Sequence, residues 1–248
     1  MPMIPIMEQP NKTTRRECHI TMENIDNFIA IAIDGPAGAG KTTQAKILAK
    51  ELGFVYVDTG ALYRAFAIHK LWLEKEAGEK VPIDSALNTF DFEFVRDEAG
   101  NQRIMVWNRD VTDFLRAPEV SMEASTTSAH PDVRKTLLSC QRRQAMVNNV
   151  VMEGRDIGTV VLPDAKVKIY LTADLTVRAQ RRMKELAEKG QDVEFCQLVN
   201  EMAKRDHQDM TREIAPLKQA DGATLVDCSR TNIEETTKIL LDVIKRII

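Results

Sequence analysis

FIAIAIDGPAGAGKTTQAKILAKEL, residues 28–52, opens on an apolar run from Phe28 to Ile33 and closes on a stretch with helical spacing. The apolar run has the length of a buried strand and falls far short of the roughly 18 residues that span a bilayer. In the second stretch Ala45, Leu48, Ala49 and Leu52 fall at i, i+3, i+4 and i+7, one face of a helix, and Gly53 stands where a C-terminal cap places glycine. Between strand and helix, Gly35-Pro36-Ala37-Gly38-Ala39-Gly40-Lys41-Thr42 satisfies G-x-x-x-x-G-K-[ST]. Glycines at those spacings let successive backbone N–H groups converge on phosphate oxygens at a helix N-terminus. The pattern assigns Gly35 to Thr43 to ATP binding, with Lys41 on the β- and γ-phosphates and the Thr42 hydroxyl facing Mg²⁺.

Outward from this loop the chain keeps alternating. FVYVD is a short strand; Thr59 and Gly60 form a turn, and Leu62, Ala65, His69 and Trp72 line one face of the next helix. VVME, VKIYLTA and ATLVDC read as further strands, with a helical region around Pro131 to Met146, two charged helices after VKIYLTA, and a closing helix in IEETTKILLDVIKRII. Five apolar strands alternating with helices predict an α/β fold, a P-loop five-stranded parallel sheet flanked by helices. Residues 91–111 break the scheme: Phe92 and Phe94 alternate with charged residues, Ala99-Gly100-Asn101 is a turn, and Ile104 and Val106 alternate again. That is an antiparallel hairpin insert.

Residues 1–27 contain Pro2, Pro5 and Pro10, are polar and show no periodicity, which predicts an extension outside the fold, with Met22 an alternative start. Arg15 and Arg16 follow the apolar residues instead of preceding them, so the segment does not read as a signal peptide, and a cytoplasmic location is expected. The remaining 28–248 are expected to form one compact α/β core with insertions. With 44% hydrophobic and 29% charged residues the chain is in the globular range, which excludes disorder throughout. A net charge of −3 argues against binding a nucleic acid polymer. Cys18, Cys140, Cys196 and Cys228 form no CxxC pair, and isolated thiols are expected rather than a metal or redox site. No apolar helix face points to an obligate partner, so a monomer is the default.

The remaining signals are arginines. Arg64 follows Thr59 by five residues, so Thr59 is placed to cap the helix whose early turns carry Arg64 toward the strand ends. Gly154-Arg155-Asp156 closes a strand, where open α/β sheets put ligand contacts; Arg155 offers a planar fork to a phosphate and Asp156 an acceptor to a base amino group, a simple ion pair being the alternative. Arg178, Arg181 and Arg182 share a helix face, where like charges repel unless an anion arrives; a solvated face is the alternative. Arg205, Asp209 and Arg212 at i, i+4 and i+7 read either as ligand contacts or as a surface ion-pair ladder. His69 lies on an apolar face and reads as a core or boundary histidine; no Ser-His-Asp arrangement is supported.

IDGPAGAGKTT, DTGALYR, EASTTSAHPDVR, GRDIGTVVLPDAKVKIYLTA, RAQRRMKEL and RDHQDMTREIAPL, taken in that order, resemble the bacterial cytidylate kinases of the P-loop nucleoside monophosphate kinase family, from about Ile29 to Ile248. The resemblance implies a core, a monophosphate-binding region at about 60–148 containing the insert at about 91–111, and a short lid at about 178–192. It implies that Ser125, Arg134 and Asp156 read cytosine, that Arg64, Arg155 and Arg212 hold the acceptor phosphate, and that Arg205 and Asp209 contact ribose. Thr59 stands where many relatives have serine and belongs to the same CMP site, while Thr43 replaces a common glycine. Lys41, Arg155 and the lid arginines Arg178, Arg181 and Arg182 are the implied catalytic group. The expected reaction is ATP with CMP or dCMP giving ADP with CDP or dCDP, with Mg²⁺ as MgATP. The rivals are a P-loop kinase for UMP, AMP or shikimate, and a nucleotide-binding regulator without turnover.

Overall fold

The computed structural model describes residues 28–97, 102–188 and 190–248. The expected extension at 1–27 and the turn at Ala99-Gly100-Asn101 lie outside the described residues. In chain order the elements are β1 (Ala30–Asp34), α1 (Lys41–Leu52), β2 (Val55–Asp58), α2 (Thr59–Ala77), α3 (Ile83–Thr89), β3 (Phe92–Arg96), β4 (Gln102–Val106), β5 (Arg109–Asp110), α4 (Pro118–Thr127), α5 (Pro131–Val147), β6 (Val150–Gly154), β7 (Val167–Thr172), α6 (Leu175–Ala187), α7 (Phe195–Thr211), β8 (Thr224–Asp227) and α8 (Ile233–Lys245). Two short turns complete the path, a 3₁₀ turn at Thr112–Phe114 and a π-helical turn at Ile157–Val161.

The chain divides into two compact units, Ala61–Leu137 and, from residue 28, the stretch to Gly60 together with Leu138–Ile248. The larger unit is built on one parallel five-stranded sheet in the order β2-β6-β1-β7-β8. Every strand predicted from an apolar run is present. Side-chain alternation explains how both faces are buried. Ile31 and Ile33 pack with Val151, Val167, Ile169 and Leu171 beneath Ala45 and Leu48 of α1 and Leu240 and Ile244 of α8. Ala32 turns the other way and joins Val57, Met152 and Ile157, with Leu138 and Ala145 of α5 packed against them. Leu48 and Leu240 are fully buried, and removing such a side chain costs about 2–5 kcal/mol.

Parallel register aligns the carboxyl ends of the strands: Asp34 is opposite both Gly154 and Tyr170, and Asp58 is opposite Glu153. Polar and charged residues thereby collect at one edge of an otherwise apolar sheet. Helix α1 ends as its sequence predicts, on Gly53 in the left-handed region (φ 68°), with the Phe54 N–H returning to the Ala49 carbonyl at 2.8 Å.

The smaller unit is helical around an antiparallel sheet. The insert is three strands rather than a two-stranded hairpin, in the order β3-β4-β5. The extra strand follows from a two-residue turn at Trp107 (φ 49°) and Asn108 (φ 58°), both left-handed as this tight hairpin type requires. Two cores hold the unit, one of Ala65, Ile68, Ile104, Val106 and Val120, the other of Leu62, Phe66, Ala86, Val133 and Leu137. His69 is a core histidine, as its face predicts: it is fully buried, and its Nε2 lies 3.0 Å from the Ala86 carbonyl oxygen.

Candidate active site

In the larger unit the glycine-rich loop folds tightly over the sheet edge. Gly35 has φ 148°, and a Cβ there would sit 1.9 Å from the Leu171 carbonyl oxygen, so no other residue fits without displacing β7. The Lys41 side chain curls back along the loop and donates from Nζ to the Pro36 carbonyl oxygen at 2.7 Å. It is buried, and burial first, then the positive charge of Arg155, pushes its pKa down to about 7, against the opposing pull of Glu153, Asp34 and Asp209. The Thr42 hydroxyl hydrogen-bonds the buried Glu153 carboxylate, which also accepts from the Tyr56 hydroxyl at 2.7 Å. Burial, then the nearby Asp58 charge, raises the pKa of Glu153.

The acidic residue before the loop has a structural task that its position alone does not reveal. Asp34 accepts the backbone N–H groups of Ile157 and Gly158, each at 2.7 Å. Those amides begin the π-helical turn, which Arg142 of α5 grips from its other end by donating to the Val160 and Val161 carbonyls at 2.8 and 2.9 Å. Burial pushes Asp34 up to about 6, with the neighbouring Asp156 adding to the shift and the two N–H groups and Lys41 opposing it. The chain between the strand end and this turn is Arg155-Asp156, so both are presented from a braced segment. Gly154 is needed for the close approach: a Cβ there would meet Thr59 Oγ1 at 2.6 Å and Ile157 Cδ1 at 2.7 Å.

Thr59 does not cap α2. It is the first residue of the helix, and its hydroxyl donates to the Glu153 carbonyl oxygen at 2.8 Å, tying the start of α2 to β6. The Arg205, Asp209, Arg212 series of α7 reaches other elements. Asp209 receives Arg155 at 2.8 Å, Arg212 lies 3.6 Å from Asp156 and donates to the Ala215 carbonyl at 2.6 Å, and Arg205 sits one turn earlier, half-buried. The fold therefore gathers Lys41, Thr42, Thr59, Arg155, Asp156, Asp209 and Arg212 at the carboxyl edge of the sheet.

The three arginines of α6 diverge. Arg178 is buried against the glycine-rich loop, donating to the Ala37 carbonyl at 3.0 Å; Arg181 is held by the Cys228 carbonyl at 2.7 Å; Arg182 faces outward and pairs with Glu185 at 3.0 Å. Each guanidinium thus has its own acceptors, on the phosphate loop and α7 for Arg178, after β8 for Arg181 and on α6 itself for Arg182.

In the smaller unit, α4 and α5 bring Ser125 and Arg134 together through Ser128, whose hydroxyl donates to the Ser125 carbonyl at 3.0 Å and whose own carbonyl accepts from Arg134 at 3.2 Å. The Arg134 guanidinium lies 5.6 Å from the centre of the Tyr63 ring, a cation–π contact that orients it. Arg64 is the next residue on α2, half-buried. Sequence reasoning gave no role to Tyr63, Asp34, Glu153 or Asp206, although all four lie in or beside motifs it had singled out.

A glycine-rich phosphate loop between the first strand and helix of a parallel sheet, with paired arginines at the same edge, defines a P-loop nucleotide-binding protein. The chain belongs to the cytidylate kinase family: the profile of that family, described as Cytidylate kinase, matches residues 31–246. Among curated relatives, the cytidylate kinase of Carboxydothermus hydrogenoformans is 48% identical over 220 residues, 87% of this chain and 97% of that protein. That of Caldicellulosiruptor saccharolyticus is 45% identical over 220 residues, covering 89% and 97%, and that of Enterococcus faecalis is 43% identical over 218, covering 88% and 96%.

Proposed function

We propose that the protein transfers the γ-phosphoryl group of ATP to CMP and to dCMP, giving ADP with CDP or dCDP. The observation that carries the reading is the meeting of the Lys41 loop with the Arg155–Asp209 and Arg212–Asp156 pairs at one sheet edge. Family membership supports it over the UMP, AMP and shikimate rivals and over a regulator without turnover.

In this reading a CMP phosphate oxygen attacks the γ-phosphorus as the bond to the ADP oxygen breaks. The second pKa of a phosphate monoester is about 6, so the acceptor is already largely a dianion at neutral pH and needs no general base. Catalysis is then alignment and charge neutralisation. Arg155 and Arg212, held until then by Asp209 and Asp156, turn to the acceptor phosphate; Lys41 serves the β- and γ-phosphates. Arg205 and Asp209 take the ribose. Ser125, Arg134 and Asp156 carry the cytosine-reading role, and Arg64 a phosphate-binding one. Residues 178–192 act as the lid, excluding water.

Mg²⁺ fits the donor chemistry at the loop, where the Thr42 hydroxyl beside the buried Glu153 carboxylate offers hard oxygen. When bound it would neutralise phosphate charge. We place the enzyme in the cytoplasm as a monomer; among the described residues no helix is long and apolar enough to cross a membrane.

The test is ADP release from MgATP with CMP, dCMP, UMP, AMP and GMP in parallel, against a blank without acceptor. Release dependent on CMP and dCMP is expected; release with another acceptor only, or with none, would overturn the reading.

A further inference from the structure

Arg178 is only 6% exposed, and its guanidinium satisfies acceptors on two elements at once. Nε donates to the Ala173 carbonyl beyond β7 at 2.7 Å, and Nη1 donates to the Ala37 carbonyl of the phosphate loop at 3.0 Å. The charge is balanced by Asp206 of α7, whose Oδ2 accepts from Nη1 at 2.6 Å. Asp206 is itself buried, and its other oxygen, Oδ1, has no hydrogen-bonding partner, so Arg178 is the cation bonded to this carboxylate, with the Arg155 charge acting on it through space. Two neutral carbonyls alone would leave a guanidinium buried without its counter-charge, a costly state that favours its swinging out to water. Helix α7 also rests on the loop one turn earlier, where Met202 Cε lies 3.0 Å from the point a Cβ on Gly38 would occupy. Three residues after Asp206 the same helix carries Asp209, which holds Arg155.

We propose that Asp206 is a positioning residue of the donor site: by fixing Arg178 it holds the Ala37 carbonyl and keeps the phosphate loop in its binding shape. The inference rests on reading that loop as the ATP site. It also makes α7 the element that braces both substrates' sites, Asp206 on the donor side and Asp209 on the acceptor side.

The experiment measures MgATP affinity directly, with a fluorescent ATP analogue and no acceptor present, alongside KM for ATP and for CMP. Asp206→Asn is expected to weaken MgATP about tenfold while KM for CMP stays within about twofold, and to lower Tm, because it breaks a buried ion pair. Because Asp206 acts through Arg178, Asp206→Asn should add nothing to the ATP defect of Arg178→Met. Equal weakening of both substrates, additive defects in the double variant, or unchanged ATP affinity would each overturn the proposal. Should Asp206→Asn fold poorly, Arg178→Met with Asp206→Leu restores an apolar contact in place of the pair and must still show the selective ATP defect. A wild type that binds MgATP yet phosphorylates neither CMP nor dCMP would sink the acceptor reading alone, and direct MgATP binding would still decide the role of Asp206.

Discussion

Asp34 holds Gly158 by its backbone: one carboxylate oxygen takes the Gly158 N–H at 2.7 Å while the other takes that of Ile157. A side chain at the end of β1 thus fixes the turn that presents Arg155 and Asp156. The arrangement has a pH signature, since burial lifts the Asp34 pKa to about 6 from an ordinary 3.8. The folded state therefore binds the extra proton between those values, and the contribution of this group to stability falls as pH rises from about 4 to about 6, by about 1.4 kcal/mol per unit at most. Comparing urea unfolding of wild type and Asp34→Asn across that range, the wild-type advantage should shrink with rising pH. An advantage that grows would mean the carboxylate is stabilised as the anion.

His69 predicts the opposite slope in the smaller unit. Burial pushes its pKa down to about 4, the contact of the ring with the Ala86 carbonyl opposing the shift, and buried Nδ1 has no acceptor for a second proton. A histidine that must stay neutral stabilises the fold fully above its unfolded value of about 6.5, and that contribution drains away as pH falls toward about 4. His69→Gln should flatten this acid loss, read from Tm between pH 4 and 7. A variant losing stability over that range as steeply as the wild type would assign the acid sensitivity to another group.

Lys41 supplies a prediction about binding. Its ammonium is held down to about 7 by burial and by Arg155. The ATP phosphates bring negative charge to that nitrogen, so binding raises its pKa and draws in part of a proton near neutral pH, the uptake growing as pH rises. Affinity for MgATP should accordingly weaken as pH rises above 7. Calorimetric titration in two buffers of different ionisation enthalpy counts the proton, and Lys41→Met should abolish the uptake. Uptake that persists in that variant would move the titration to a different residue. The same substitution should lower turnover far more than it alters CMP binding.

The strands and the phosphate loop were legible in the sequence because each is a local pattern. An apolar run such as VKIYLTA becomes a strand wherever it pairs, and G-x-x-x-x-G-K-T carries its own turn geometry. The strand order in the sheet was not legible, since five similar apolar runs pair in many orders. Partnerships were hidden for the same reason. Asp34 and Gly158 are brought together by the pairing of β1 with β6, and Asp206 meets Arg178 only because α7 packs on α6. The arginines of α6 show how far spacing can mislead: i, i+3 and i+4 fix a common face, but not which carbonyl each long side chain finds. Thr59 was misplaced as a cap because the helix starts one residue earlier than its spacing suggests, and its hydroxyl reaches a strand 94 residues away.

Arg142 offers the sharpest separation of bracing from contact. It lies on α5, donates to the Val160 and Val161 carbonyls, and is the far-end counterpart of Asp34 on the same π-helical turn. Removing it leaves two carbonyls of that turn without their charged donor, a loss of about 1.5–3 kcal/mol per bond at most and less where water replaces the arginine. Asp34 still anchors the front of the turn, so the expected effect is looseness in Arg155 and Asp156 and not collapse of the sheet. Arg142→Met should therefore raise KM for CMP several-fold and blur the preference for CMP over UMP, with MgATP affinity within about twofold of wild type. Arg142→Lys, which keeps one charged donor, should recover part of the loss. If instead MgATP and CMP weaken together, the turn braces the whole sheet edge, and the split between donor and acceptor sides drawn through α7 would need to be redrawn at β6.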